Sequence, residues 1–121
     1  MELSSLVGEI LTNIDVSDDT VMLTTKSGRQ ITLFHSQTCC ESVRILSTDG
    51  EWRELIGKPL MIVEAEIDGS NETERGSETE TTFTFGVDGA TVINRWIGES
   101  NGYYSELVRI EEITSSSAGA I

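Results

Sequence analysis

Two stretches of this sequence concentrate the side chains that can do chemistry. One is R-W-I-G-E-S-N-G-Y-Y-S-E over residues 95–106, and the other is F-H-S-Q-T-C-C-E-S-V over residues 34–43, which holds the only histidine and both cysteines. The first stretch carries the groups that recognise a small polar molecule. Arg95 can grip a phosphate or carboxylate with two parallel hydrogen bonds, Tyr103 or Tyr104 can stack on a flat ring, and Asn101 or Ser105 can meet hydroxyls. The second stretch invites two sharper readings: Cys39 as a nucleophile activated by His35, or His35, Cys39, Cys40 and Glu41 around a metal ion. Spacing speaks against both. On an extended chain His35 and Cys39 lie about 13 Å apart, beyond hydrogen-bond reach unless the chain turns after Gln37, and no C-x-x-C or H-x-x-x-H pair supports a metal. Adjacent cysteines rarely bridge each other, so they read as two buried thiols. No catalytic residue, metal or cofactor is assigned.

These groups must be positioned by the elements around them. Asn101-Gly102 between alternating segments predicts a two-residue hairpin. Its register sets Glu99 opposite Tyr104, Gly98 opposite Ser105, Ile97 opposite Glu106, Arg95 opposite Val108 and Ile93 opposite Ile110. One face then carries Ile93, Arg95, Ile97 and Glu99 with Tyr104, Glu106, Val108 and Ile110. It is aliphatic at its far end and polar towards the turn, with Arg95 and Glu106 as diagonal neighbours. If the strand through Ile31 and Leu33 continues, His35, Gln37 and Cys39 share its core face. The two polar ends are expected to meet as the rim of a pocket formed by His35, Gln37, Arg95, Glu99, Asn101, Tyr103, Tyr104, Ser105 and Glu106.

The rest of the chain reads as further strands. L-V-G-E-I-L-T-N-I-D-V, T-V-M-L-T-T-K-S-G-R-Q-I-T-L-F, L-M-I-V-E-A-E-I-D and T-T-F-T-F-G-V-D-G-A-T-V-I-N-R-W-I-G-E alternate apolar with polar residues and are punctuated by Ser27-Gly28 and Asp88-Gly89. About seven strands at this spacing predict an all-β antiparallel sandwich or small barrel. D-G-E-W-R-E-L-I-G-K-P breaks the alternation and predicts one short helix over about 50–56, with Gly57 and Pro59 ending it and Trp52 plugging the sheet. Residues 64–80 hold seven carboxylates and one arginine and read as a long charged hairpin loop. Residues 1–113 form a single β domain, and 114–121 a flexible tail.

Composition narrows the function. A formal charge of −13 repels nucleic-acid phosphate. No apolar run is long enough to span a bilayer, and no signal-peptide pattern opens the chain. The reading is a cytoplasmic protein.

At H-S-Q-T-C-C-E-S-V, L-I-G-K-P and R-W-I-G-E-S-N-G-Y-Y-S-E-L-V the chain resembles a family of small tailed-bacteriophage proteins of unknown function. The likeness runs over about residues 6–113 and falls on His35, Gln37, Cys39, Cys40, Glu41, Arg95, Trp96, Glu99, Ser100, Asn101, Tyr103, Tyr104, Ser105 and Glu106. Members often carry an acidic residue where this chain has Thr38, which weakens a metal site there. The resemblance implies a phage-encoded protein of an infected bacterial cytoplasm and supplies no activity. The expectation is a non-enzymatic, homo-oligomeric binding protein that sequesters a small polar, nucleotide-like defence signal. The alternative is an acidic inhibitor or nucleic-acid mimic directed at a host defence protein.

Overall fold

In a computed structural model, eight strands form two antiparallel four-stranded sheets. The structure describes residues 2–17, 19–73, 76–102 and 104–114, with side chains described except at 69–73 and 114. The expected Tyr103 contact and almost all of the expected tail lie outside these residues.

The strands are β1 (Leu11–Ser17), β2 (Thr20–Thr25), β3 (Arg29–Phe34), β4 (Ser42–Asp49), β5 (Ile62–Thr73), β6 (Gly76–Val87), β7 (Ala90–Ser100) and β8 (Arg109–Thr114). One sheet runs β1-β2-β3-β8 and the other β4-β7-β6-β5. Period-two alternation decides which face is buried. Val21 and Leu23 of β2 with Ile31 and Leu33 of β3 meet Val63, Phe83, Phe85, Val92 and Trp96 from the facing sheet in one core. The architecture is sandwich-like. Ser27-Gly28 and Asp88-Gly89 are hairpin loops, the latter joining Val87 directly opposite Ala90.

Three expectations change. The helical segment is a single 3₁₀ turn, Trp52–Leu55, that buries Leu55 and sets Trp52 against Phe85 with ring centroids 5.9 Å apart. Gly50 and Gly57 bracket it in left-handed conformation, at φ 96° and 92°, and leave too little chain to offset the cost of nucleating an α-helix. Residues 64–80 are mostly strand. β5 and β6 pair from Ile62↔Gly86 to Thr73↔Gly76, with a register shift between Asp68 and Asn71.

The third change matters most. Asn101-Gly102 does not turn β7 back upon itself. β7 lies inside its sheet, with β4 on one edge and β6 on the other, so no edge remains for a returning strand. The chain crosses to the other sheet, where β8 takes the free edge of β3 and Ile110 pairs with Leu33 instead of Ile93. The inward residues of β7 are Val92, Asn94 and Trp96, each 0% exposed. Arg95 and Glu99 therefore stand on the outer face, the reverse of the expected assignment.

Candidate functional site

The crossing segment 101–108 joins the sheets, and the candidate residues gather around it. Its anchor is Glu106. A side chain at Gly98 would bring Cβ within 2.8 Å of the Glu106 Cβ, so glycine lets the crossing chain lie directly on β7. The Glu106 carboxylate, on a residue 7% exposed, then reaches the inner face of the second sheet. Thr79 Oγ1 donates to Oε1 at 2.7 Å, and the hydroxyls of Ser77 and Ser100 both donate to Oε2. Burial pushes this carboxyl up, but the three hydroxyl bonds outweigh it and hold the group below its ordinary value. Ser100 Oγ also accepts the Gly102 amide at 3.0 Å, which fixes the turn.

The next residue ties the crossing to the other polar stretch. The Leu107 carbonyl accepts from His35 Nδ1 at 2.9 Å, while His35 Nε2 meets Glu41 Oε2 at 2.8 Å. Both side chains are enclosed, at 6% exposure for His35 and 0% for Glu41. A carbonyl can only accept, so the Leu107 contact fixes a proton on Nδ1. β3 ends at Phe34, so residues 35–41 form a loop instead of the expected strand.

That loop wraps around Glu41. The Cys39 amide donates to Oε1 and the Thr38 amide to Oε2, each at 2.9 Å. Gln37 Nε2 donates to the Glu41 carbonyl and, at 3.1 Å, to that of Cys39. The Cys39 amide bond above all, then His35, outweighs burial and holds the Glu41 carboxyl at about 2. H-x-Q-x-C-C-E is thus a self-closing loop that keeps a carboxylate ionised out of water.

The cysteines depart from the buried-thiol reading. Cys39 and Cys40 occupy an exposed bend and are joined to each other as a disulfide. A bend turns both sulfurs outward together, whereas on a strand they would diverge to opposite faces.

The remaining candidates separate. Arg95 pairs with Asp49 at 2.5 Å, and Glu99 with Arg44 at 3.3 Å, both on the outer sheet face. The expected Arg95–Glu106 pair does not form, because the sheet lies between them. Asn101 and Ser105 are exposed and Tyr104 is half-buried, all in the crossing. Ser105 Oγ accepts the Leu107 amide at 3.3 Å. The structure therefore brings His35, Gln37, Tyr104, Ser105 and Glu106 to one end of the sandwich and leaves Arg95 and Glu99 outside. Sequence reasoning passed over Ser77 and Thr79 as partners of Glu106. The alternation S-E-T-E-T-T running into F-T-F-G-V was the available signal, since it carries the β6 pattern back through Ser77. Among the described residues, no group of three or more His, Cys, Asp and Glu is arranged to hold a metal ion.

Residues 4–110 match a family described as a domain of unknown function, DUF7448. The chain belongs to this family. The match covers the 35–41 loop, β6, β7 and the crossing, so every residue that closes on Glu41 and Glu106 lies within the DUF7448 region. No curated protein and no solved structure matches the chain. Among the described residues no helix is long and apolar enough to cross a membrane.

A second concentration of charge lies on the outer face of β5 and β6. Glu64, Glu66 and Asp68 alternate along β5, with Glu78 and Glu80 beside them on β6. Glu66, Ile67, Asp68, Glu80 and Thr82 line a shallow hollow of about 330 Å³. Among the described residues, no cation lies within ion-pair distance of these carboxylates, whereas Arg29, Arg44, Arg95 and Arg109 each have a carboxylate partner.

Proposed function

We propose that this chain is a non-enzymatic binding protein that engages a basic surface of a partner protein through the outer face of β5 and β6. What carries the reading is the imbalance just described: five carboxylates on the outer face of β5 and β6 with no described cation in ion-pair reach, in a chain of net charge −13. Such a face attracts a lysine- and arginine-rich surface over several ångströms and speeds encounter. The phage resemblance supplies the setting: the cytoplasm of an infected bacterium, with a host defence protein as the target.

Sequestration of a small polar ligand is the second reading. Gln37, Asn101 and Ser105 are exposed and Tyr104 is half-buried at one end of the sandwich, which favours it. Against it, His35 and Glu41 are bonded to each other, Glu106 is bonded to Ser77, Thr79 and Ser100, and Arg95 faces away.

The test is capture from bacterial lysate by the wild type and by a Glu64→Lys, Glu66→Lys, Glu80→Lys variant, followed by denaturation and mass spectrometry. A host protein held at low salt, released at high salt and absent from the variant supports the acidic-face reading. A protein retained equally by both chains overturns it. A stoichiometric small molecule released from both chains moves the assignment to sequestration.

A further inference from the structure

We propose that Cys39 and Cys40 form a site of reversible oxidation whose state is transmitted to the chain crossing between the sheets. This is independent of the acidic face. The chain has only these two cysteines, so any disulfide within one molecule joins them. Both are exposed in the bend between β3 and β4, open to a small disulfide or thiol in solvent. The chemistry balances with glutathione disulfide as oxidant. One cysteine thiolate attacks it, expelling one glutathione thiolate and forming a mixed disulfide. The other cysteine then displaces the second glutathione. The protein loses two hydrogens and two electrons, and the oxidant becomes two thiols.

The consequence follows from what the same backbone holds. The Cys39 amide donates to Glu41 Oε1 and the Cys39 carbonyl accepts from Gln37. Glu41 Oε2 meets His35, and His35 donates to the Leu107 carbonyl. An unbroken chain of hydrogen bonds thus runs from the cysteine backbone to the crossing. Closing the ring between Cys39 and Cys40 restricts the peptide whose carbonyl accepts from Gln37 and the Cys39 Cα whose own amide donates to Glu41, and opening it releases that restriction. Neither cysteine is buried, so exchange needs no unfolding.

Intact-mass spectrometry and amide NMR of the purified full chain test this, after equilibration with reduced or oxidised glutathione. The expected oxidised product is a monomer lighter by two hydrogens that takes up no alkylating reagent, while the reduced form takes up two alkyl groups. Between these forms the amide signals of Thr38, Cys39, Glu41 and Leu107 shift, and those of β5 and β6 stay. Cys40→Ser, a change at an exposed position, stops at a single glutathione adduct. Wild type that ends as a glutathione adduct or a cross-linked dimer, or that keeps two free thiols, overturns the site. A disulfide that forms without moving the Leu107 signal overturns the transmission.

Discussion

Glu106 sits where a polar cluster either binds something or holds the fold, and one substitution separates the two. Its carboxylate accepts from Ser77, Thr79 and Ser100, placed by β6 and the end of β7. A hydrogen bond to a charged acceptor contributes about 1.5–3 kcal/mol. The three share one acceptor and strengthen one another, so their sum overstates the loss. Glu106→Ala removes the acceptor and leaves a buried threonine and two part-buried serines to find other partners. The expected cost is about 2–4 kcal/mol, because each polar group left unsatisfied costs about 1–3 kcal/mol and three losses that share one acceptor do not add. Thr79→Val alone leaves Oε1 without its hydroxyl and costs about 1–3 kcal/mol. In the Glu106→Ala background the same Thr79→Val change costs under about 0.5 kcal/mol, because its partner is already gone. Glu99→Ala is the control, since that carboxylate is 49% exposed on Arg44, and a surface pair contributes about 0–1 kcal/mol. Urea unfolding followed by tryptophan fluorescence reads all four. A Glu106→Ala protein within about 1 kcal/mol of wild type refutes the anchoring argument, as does a Thr79→Val cost that is the same with and without the carboxylate.

Three further outcomes are expected. Gly98→Ala drives a methyl group into the crossing at Glu106 and destabilises by about 1–3 kcal/mol; a melting temperature equal to wild type would show that the crossing does not rest on β7. Arg29 fastens β8 to β3 by donating Nε to Glu112 Oε2 at 2.9 Å and Nη2 to Oε1 at 2.7 Å, so lysine cannot replace its fork. Arg29→Lys should cost about 1–2 kcal/mol and Arg109→Ala under about 0.5 kcal/mol in the same denaturation assay. Acid should unfold the protein in a defined window. Glu41 falls from an ordinary 4.5 to about 2 in the fold, and Glu106 and Glu112 are also lowered. Groups lowered on folding stabilise above their unfolded value, and this contribution fades as pH falls through the folded value. The urea midpoint should therefore decline as pH falls from about 4.5 towards 2, with Glu41→Gln flattening that decline.

What was legible in the sequence follows from the range of the forces that decide it. Alternation is local, so T-V-M-L-T-T and T-T-F-T-F-G-V declare their buried faces without reference to the rest of the chain. Asp88-Gly89 is a hairpin because β6 and β7 are both free to pair there. Asn101-Gly102 carries an equally strong local signal and makes no hairpin, because β4 has already taken the far edge of β7. That competition joins residues about fifty positions apart, beyond the reach of any window. The same nonlocality reversed the assignment of Arg95. With the hairpin assumed, Ile93 and Ile97 drew the odd positions inward. In the fold, Trp96 goes inward with its Nε1 satisfied by Asn94 Oδ1, and Asn94 in turn donates to Thr48 of β4. A polar residue between apolar ones looked like an outward position until its partner on another strand supplied the missing hydrogen bond.

The density of polar groups over 95–106 thus has a physical cause that requires no ligand. A chain leaving the middle of one sheet for the edge of another must bury backbone that neither sheet pairs, and each such group needs a partner. Glu106 reaches back into the sheet the chain has left, and the Leu107 carbonyl reaches forward to a histidine just after β3 of the sheet it joins. Ser100 and Ser105 serve the amides of Gly102 and Leu107 at either end. The motif is most crowded where the chain has least secondary structure to hold it, and the two polar stretches, so far apart in sequence, meet at His35. Among the described residues, the side chains that the crossing leaves open to a chemical role at this end of the molecule include Gln37 in part, Tyr104 and the cysteine pair. The fold itself occupies Glu106, Glu41 and His35, so substituting them should register first as lost stability and only then as lost binding.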